Sequence, residues 1–231
     1  MGTVLRPPCS TVLVEWRLFG SLSESDQARV LDSARRRGFA VGETLFSEGD
    51  PGTALHLIES GRVAIRVTTP DGEVATLTVV GPGEAFGEMA LLRRSSTRTA
   101  SAIAMEPVTT LSLERDVFLR LCVEHPHVER LLIGLLAARV ERLSGHLVEA
   151  LYLGVDKRVL RRLLELCRVY GAPGAETVVV PLTQEELAGL AGTTRPTVNT
   201  LLRQLQDKGM VALSRGRVEV LDMAALARAS R

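Results

Sequence analysis

The chain has 231 residues, of which 45% are hydrophobic and 24% are charged, a composition that allows one large or two modest folded domains and excludes broad disorder. Its net charge of +1 is unevenly distributed: residues 1–154 hold 16 basic and 19 acidic side chains, and residues 155–231 hold 12 and 8, so the C-terminal part favours a polyanionic partner. No apolar run approaches the roughly 18 residues of a membrane helix, and the N-terminus lacks a secretory signal. The three cysteines show no CxxC spacing. We therefore expect a cytoplasmic protein with reduced thiols, no metal and no membrane partner.

The first part of the chain changes from a helical to an extended pattern. Residues 22–37 predict a short helix that Ser23 caps, with Asp26 as its acidic partner, and that ends at Gly38. From residue 39 to residue 115, short β-rich runs alternate with turn sequences such as EGDPG, PDG and GPG. Turns at this spacing, with no long helix between them, predict an antiparallel β-sandwich or barrel.

A long helical region follows, from about residue 115 to residue 153. One apolar stripe recurs at steps of three or four residues, while Arg139, Glu141, Arg142 and Glu149 lie off it. The stripe consists of Leu132, Leu136, Val140, Leu143, Leu147 and Leu151. It could be a seam within the chain, but a solitary helix of this length more often buries such a seam against a second copy. We expect a homodimer formed through this helix, which ends at a hinge where Asp156 caps the next helix.

The last 60 residues or so predict a compact unit. TVVVP is a short strand, and the helix after it has Thr183 as its N-cap with Glu186 at the capping-box position. Gly192 breaks the chain before a second helix that Thr194 caps, and a hairpin turning at residues 214–216 follows. Two short helices joined by a glycine-bearing turn and followed by a hairpin are the pattern of a winged helix-turn-helix.

The side chains of this unit match the chemistry of DNA. Arg195, in the first turn of the second helix, can donate two hydrogen bonds to guanine, while Thr197 can reach a base or a phosphate. Arg203 and the two hairpin arginines are placed for phosphates. The predicted DNA-contacting set is Thr183, Thr194, Arg195, Pro196, Thr197, Asn199, Thr200, Arg203, Arg215 and Arg217. The alternative is that these arginines only solvate a helical hairpin, since the chain has 26 arginines and 2 lysines.

A second group of polar residues lies in the β-rich part, within GEAFGEMALLRRSSTRTASA. Gly87 opens a helical turn whose first N–H groups, around Glu88, Met89 and Ala90, could face an anion. Arg98, expected on a facing strand, adds a charged fork, and Thr99 adds a hydroxyl. An acid beside a phosphate site suits a ligand with one negative charge and a hydroxyl donor, as in a 3′,5′-cyclic nucleotide. The alternative is a Glu88–Arg98 ion pair that stabilises the barrel.

With these motifs, the sequence resembles the cyclic-AMP receptor protein / FNR family of bacterial transcription regulators. FGEMALL with RTASA is similar to the family's phosphate-binding cassette, and LTQEELAGLAGTTRPTVNTLLRQL to its helix-turn-helix. The resemblance implies an α+β fold: an N-terminal antiparallel, jelly-roll-like β-roll that binds cyclic nucleotide (1–125), a long dimerisation helix with a hinge (126–154) and a winged helix-turn-helix (155–231). It also implies a transcription regulator rather than an enzyme. This regulator would bind a pseudo-palindromic site in double-stranded DNA and, if it activates transcription, it would also bind RNA polymerase.

The resemblance assigns roles residue by residue. Gly87 and Glu88 match the family's ribose contacts, and Arg98 and Thr99 match its phosphate contacts. Leu143 and Ser144 stand where a threonine and a serine contact adenine, so half of that pair is missing. Arg195 matches the guanine-reading arginine, but its usual glutamate neighbour is Pro196, and Thr200 replaces a second basic residue. The implied effector is cyclic AMP, with cyclic GMP, cyclic di-GMP or no ligand as alternatives.

Overall fold

The computed structural model describes residues 22–69, 72, 74–92, 97–172 and 174–230; the N-terminal sequence and its Cys9 lie outside this range. Helix α1 (Glu24–Asp32) begins as predicted, with the Ser23 hydroxyl accepting a hydrogen bond from the Asp26 amide. The prediction that this helix extends to residue 37 is wrong. Residues Arg35–Phe39 form strand β1, whose residues pair with residues 69 to 77 positions further along the chain, so tertiary pairing outweighs the local helical pattern.

The β-rich region forms two four-stranded sheets in which every pair of strands is antiparallel, confirming the prediction. The remaining strands are β2 (Thr44–Phe46), β3 (Ala54–Ser60), β4 (Val63–Thr68), β5 (Val74–Val80), β6 (Ala85–Phe86), β7 (Ser101–Ala104) and β8 (Val108–Glu114). One sheet has the order β1-β8-β3-β6 and the other β2-β7-β4-β5. A core of buried side chains that includes Ile58, Val63 and Phe86 fills the roll.

Between β6 and β7 lies a single helical turn, α2 (Met89–Leu92). After β8, the structure has α3 (Arg115–Glu124), a 3₁₀ turn (Pro126–Val128) and the long helix α4 (Glu129–Tyr152). The helical region predicted from about residue 115 therefore consists of two helices, with an interruption at His125, whose backbone leaves the helical range (φ −133°, ψ 85°). Pro126 explains the break, because its ring disfavours a helical conformation in the residue before it.

Most of the apolar stripe on α4 is exposed in the single chain. The exposed fraction is 61% for Val140, 57% for Leu143, 60% for Leu147 and 66% for Leu151. Leu132, nearer the start of the helix, packs on a β-roll core cluster. Along its C-terminal half, the stripe is thus not a seam within the described chain, and its burial would require another surface.

The C-terminal unit is the predicted winged helix-turn-helix. It comprises α5 (Val155–Tyr170), β9 (Val178–Val180), α6 (Gln184–Ala191), α7 (Arg195–Asp207), β10 (Val211–Ser214), β11 (Arg217–Val220) and α8 (Met223–Ala229), with sheet order β10-β11-β9. The predicted Asp156 cap is wrong, because α5 begins at Val155 and its N-cap is Gly154, which has no side chain. Helix α8 was not predicted. Within the described residues, no helix combines the length and apolar character needed to cross a membrane.

The hinge between α4 and α5 is braced by charged contacts. Arg162, only 5% exposed, pairs with Glu149 on α4 and Glu165 on α5, and its Nη1 lies 2.7 Å from Nε2 of His146. Arg158 donates to the carbonyls of Leu153 (3.1 Å) and Ala191 (3.1 Å). These bonds join the end of the long helix to the turn of the helix-turn-helix.

Candidate functional sites in the β-roll and the winged helix

Gly87 shapes the predicted anion pocket. Its φ of +78° lies in the left-handed region, which favours glycine. A Cβ at this position would lie 2.6 Å from Nη1 of Arg98 and 3.3 Å from the Ala54 carbonyl oxygen. The glycine therefore allows the chain to turn into α2, which contains Met89 and Ala90, while the guanidinium approaches its backbone.

Arg98 is a buried cation, 7% exposed. It lies after an isolated bridge between Pro51 and Thr97 and before β7, so its predicted position within a strand is wrong. Its Nη1 donates to the carbonyls of Ala54 (2.9 Å) and Gly87 (3.2 Å), and the guanidinium carbon lies 3.9 Å from the Phe46 ring centroid. Within the described chain its Nε has no hydrogen-bond partner.

The electrostatic setting of Arg98 contains opposing effects. Burial lowers its pKa from the ordinary value, while the carboxylates of Glu114, Asp50 and Glu88 raise it. His56 belongs to the same region, with its ring stacked on Phe86 at 5.2 Å between centroids. Burial, followed by the positive charges of Arg98 and Arg37, lowers the pKa of His56 to about 3. Arg98 thus supplies the positive charge and His56 is neutral near pH 7.

Glu88 is also buried, at 4% exposure, and it pairs with Arg139 on α4 at 3.7 Å rather than with Arg98. The alternative prediction, a Glu88–Arg98 ion pair, is therefore wrong. Arg139 was recognised in the sequence only as a residue off the apolar stripe. Its contact with Glu88 connects the pocket directly to the long helix.

The cavity at this site is small, about 30 Å³. Its lining brings together the predicted Gly87, Glu88, Met89, Arg98 and Thr99, with Arg139 as one wall. A small-molecule pocket has a volume of roughly 300–1,000 Å³, so this conformation has room for about one water molecule.

Leu143 and Ser144, predicted to face a base, are exposed on α4 and do not line the small cavity. Leu143 lines a neighbouring cleft of about 380 Å³ between β5, α4 and α6. Arg139 lines this cleft as well as the small cavity. Arg139 therefore borders both the cavity beside the residues predicted to contact phosphate and the cleft beside the predicted base-contacting position.

In the winged helix, a groove of about 820 Å³ runs between α7 and the β10–β11 hairpin. It brings together seven of the ten predicted DNA-contacting residues: Thr183, Arg195, Pro196, Asn199, Arg203, Arg215 and Arg217. Gln184, Glu185 and Ser214, which were not predicted, also line it. The wing and the second helix thus present their arginines to one exposed surface.

The other three predicted DNA residues do not line the groove. Thr194 occupies the N-cap position of α7, but its predicted side-chain cap is not formed within the described residues; its Oγ1 lies 3.0 Å from that of Thr197. The Thr200 hydroxyl donates to the Pro196 carbonyl at 3.1 Å, a bond within the helix that competes with base contact. In contrast, the predicted capping box of Thr183 and Glu186 is confirmed.

Two protein-family models match the two halves of this chain. Residues 36–125 match the cyclic nucleotide-binding domain, and residues 157–229 match the Crp-like helix-turn-helix domain. The chain is 33% identical over 222 residues to the CRP-like cAMP-activated global transcriptional regulator of Mycobacterium tuberculosis, covering 95% of this chain and 99% of that one. It is 37% identical over 209 residues to the cyclic AMP receptor protein of Thermus thermophilus, covering 90% and 94%.

Solved structures give the same result. The catabolite activator protein of Thermus thermophilus matches at 37% identity with a TM-score of 0.54, covering 92% of this chain and 97% of that one. A CRP-family transcriptional regulator from the same organism matches at 28% identity with a TM-score of 0.71, covering 84% and 96%. A cyclic nucleotide-binding β-roll joined to a Crp-like helix-turn-helix defines a class of transcription regulators. This chain belongs to that class, the cyclic-AMP receptor protein / FNR family.

Proposed function

We propose that this chain is a homodimeric, sequence-specific DNA-binding regulator whose DNA affinity is controlled by a cyclic nucleotide, with cyclic AMP as the first candidate. Its working units are 1–125 for ligand, 126–154 for dimerisation and 155–231 for DNA, acting in the cytoplasm. The observation that carries the ligand assignment is the buried guanidinium of Arg98, which has one N–H without a described partner and lines a cavity together with the Glu88–Arg139 pair. A buried cation without a carboxylate partner is costly, and a monoanionic phosphate would compensate it.

Binding a nucleotide requires the small cavity to open. Arg139 borders both this cavity and the cleft beside Leu143, and displacing its side chain from Glu88 would join the two spaces. Glu88 would then accept a hydrogen bond from the ribose 2′-hydroxyl, while Arg98 and Thr99 would contact the phosphate. Because the ligand replaces a contact to α4, it favours one placement of that helix over another, which is the differential interaction that allosteric control requires.

The dimer proposal is supported by the exposed stripe of α4, where four large apolar side chains are each more than half exposed. A second copy of the helix would bury this stripe. Two winged helices related by a two-fold axis would present two Arg195 side chains, one turn of DNA apart, to a pseudo-palindromic site. If the regulator activates transcription, RNA polymerase is a further partner.

A regulator that acts without ligand is the second candidate, and the observation that favours it is the cavity of about 30 Å³. Leu143 leaves the ligand alternatives cyclic GMP and cyclic di-GMP open, because its side chain has no hydrogen-bonding group with which to select the adenine amino group. Titration calorimetry of the nucleotide-stripped protein with cyclic AMP, cyclic GMP and cyclic di-GMP separates these candidates. Heat from cyclic AMP at one site per chain supports the proposal; no heat from any of the three leaves the ligand-independent regulator.

A further inference from the structure

The winged helix is packed directly on the β-roll. Val79 of β5 is 5% exposed and belongs to the buried core cluster of the winged helix, and Met105, next to β7, packs against the same cluster. At Gly189 of α6, a Cβ would meet the Thr76 backbone nitrogen at 3.4 Å, so the helix lies close to β5. The two units therefore share one hydrophobic core in this conformation.

Two arginines of the β4 region extend from the β-roll into this contact. Arg62 donates from Nε to the Val169 carbonyl at 3.0 Å and lies 4.3 Å from the Tyr170 ring centroid. Arg66 donates from Nη2 to Glu186 of α6 at 2.8 Å, with both side chains about four-fifths buried (23% and 20% exposed). Partial burial reduces solvent screening and makes such a pair stronger than one at the open surface.

Glu186 uses both of its carboxylate oxygens. Oε1 accepts from Arg66, while Oε2 accepts from the backbone nitrogen (2.8 Å) and the hydroxyl (2.9 Å) of Thr183. Thr183 is the N-cap of α6 and lines the groove proposed to hold DNA. An unbroken chain of hydrogen bonds therefore runs from strand β4 of the β-roll to a residue on the DNA-facing surface.

We propose that Arg66 is a positioning residue for DNA binding: acting through Glu186, it fixes the start of α6 in the orientation that the DNA backbone requires. This inference rests on the proposed DNA-binding function. Since the first helix of a helix-turn-helix crosses the DNA backbone, a shift at its N-terminus changes phosphate contacts. The β-roll thereby controls the DNA surface through an ion pair as well as through the long helix.

A double-mutant cycle with R66Q, E186Q and the combined variant tests this inference. Glutamine at position 186 can still form the capping box, so E186Q removes the charge for Arg66 without removing the cap. The full-length chain is titrated, with and without cyclic AMP, against a fluorescent duplex enriched from a random pool by the wild-type protein. R36Q, which breaks the pair between Arg36 and Glu59 within the β-roll, is the control of equal charge change.

We expect R66Q to weaken DNA binding by roughly three- to ten-fold, R66K to restore most of the affinity, and R36Q to change it less than two-fold. E186Q should weaken DNA binding in the wild-type background. In the R66Q background the ion pair is already absent, so E186Q only removes a negative charge near the DNA phosphates and should leave DNA binding unchanged or improve it. Additive effects in both ligand conditions would overturn the inference, because they would show that the two residues act separately.

Hydrogen exchange supplies a readout that does not depend on DNA. We expect R66Q, but not R36Q, to accelerate amide exchange in residues 183–187 at the start of α6; unchanged exchange would overturn the proposed link. If the wild-type chain enriches no duplex, the proposed function fails, while the exchange measurement still decides whether Arg66 fixes α6. Thermal unfolding identifies any variant that does not fold, and E186Q tests the same ion pair if R66Q is such a variant.

Discussion

Substituting Gly87 by alanine tests whether the approach of Arg98 to the backbone holds the ligand pocket together. Gly42 provides a matched control in the same β-roll, because its φ of +77° equals that of Gly87 within one degree, yet no described atom lies within 4 Å of the position that a Cβ would occupy there. Both alanines carry the strain of a left-handed backbone, about 1–2 kcal/mol. Only the alanine at position 87 meets Nη1 of Arg98, at 2.6 Å.

The clash at position 87 forces Arg98 away from the carbonyls of Ala54 and Gly87. A hydrogen bond from a charged group contributes about 1.5–3 kcal/mol, so we expect G42A to lower the free energy of unfolding by about 1–2 kcal/mol and G87A by about 3–5 kcal/mol. Urea unfolding followed by circular dichroism measures both values. We also expect G87A, but not G42A, to lose cyclic-nucleotide binding in titration calorimetry.

The comparison between the two variants carries the conclusion. Equal losses of stability would show that backbone strain alone accounts for the effect and that Arg98 adapts without cost. Full nucleotide binding by G87A would show that the position of the guanidinium is unimportant for the ligand. Either result would contradict the view that the close approach of Arg98 to Gly87 holds the ligand pocket together.

Three further changes test separate parts of the molecule. R195A should weaken binding at one guanine of the operator by about 1–3 kcal/mol, measured with a panel of single-base variants; a uniform loss across all sequences would make Arg195 a phosphate contact. L143T should shift the ratio of affinities toward cyclic AMP over cyclic GMP, and an unchanged ratio would remove position 143 from the base-contacting residues. The pKa of His56 is lowered from the ordinary 6.5 to about 3 in the folded protein. Below pH 6.5 the unfolded chain therefore binds a proton that the folded chain excludes, and the free energy of unfolding decreases as the pH falls from about 6.5 toward 3. Urea midpoints of H56Q should fall less steeply over this range; parallel slopes would contradict the assignment.

Local chemistry explains what the sequence predicted well. The Ser23 cap and the capping box of Thr183 and Glu186 depend on residues three positions apart, so their spacing alone identifies them. The turns between the strands and the Gly192 break are similarly local. Apart from β1 and α8, the order of helical and extended regions followed from these signals, and with it the class of both domains.

The missed features depend on residues far apart in the chain. Residues 35–37 continue the helical pattern of the preceding residues, but their backbone pairs with β8, and no local signal contains that partner. The contact of Glu88 with Arg139 depends on where α4 lies against the β-roll, and the contact of Arg66 with Glu186 on where α6 lies. A chain with 26 arginines gives no indication of which of them pair across domains.

Control of DNA binding from the Arg98 pocket can be measured through the dissociation constant for operator DNA, determined by fluorescence anisotropy for wild type and R98A with and without each of the three nucleotides. We expect one nucleotide, cyclic AMP first, to change the wild-type constant by roughly 5–150-fold and to change that of R98A less than two-fold. Two results would contradict control of DNA binding from the Arg98 pocket. One is a wild-type dissociation constant that none of the three nucleotides changes, and the other is a change in R98A as large as that in wild type.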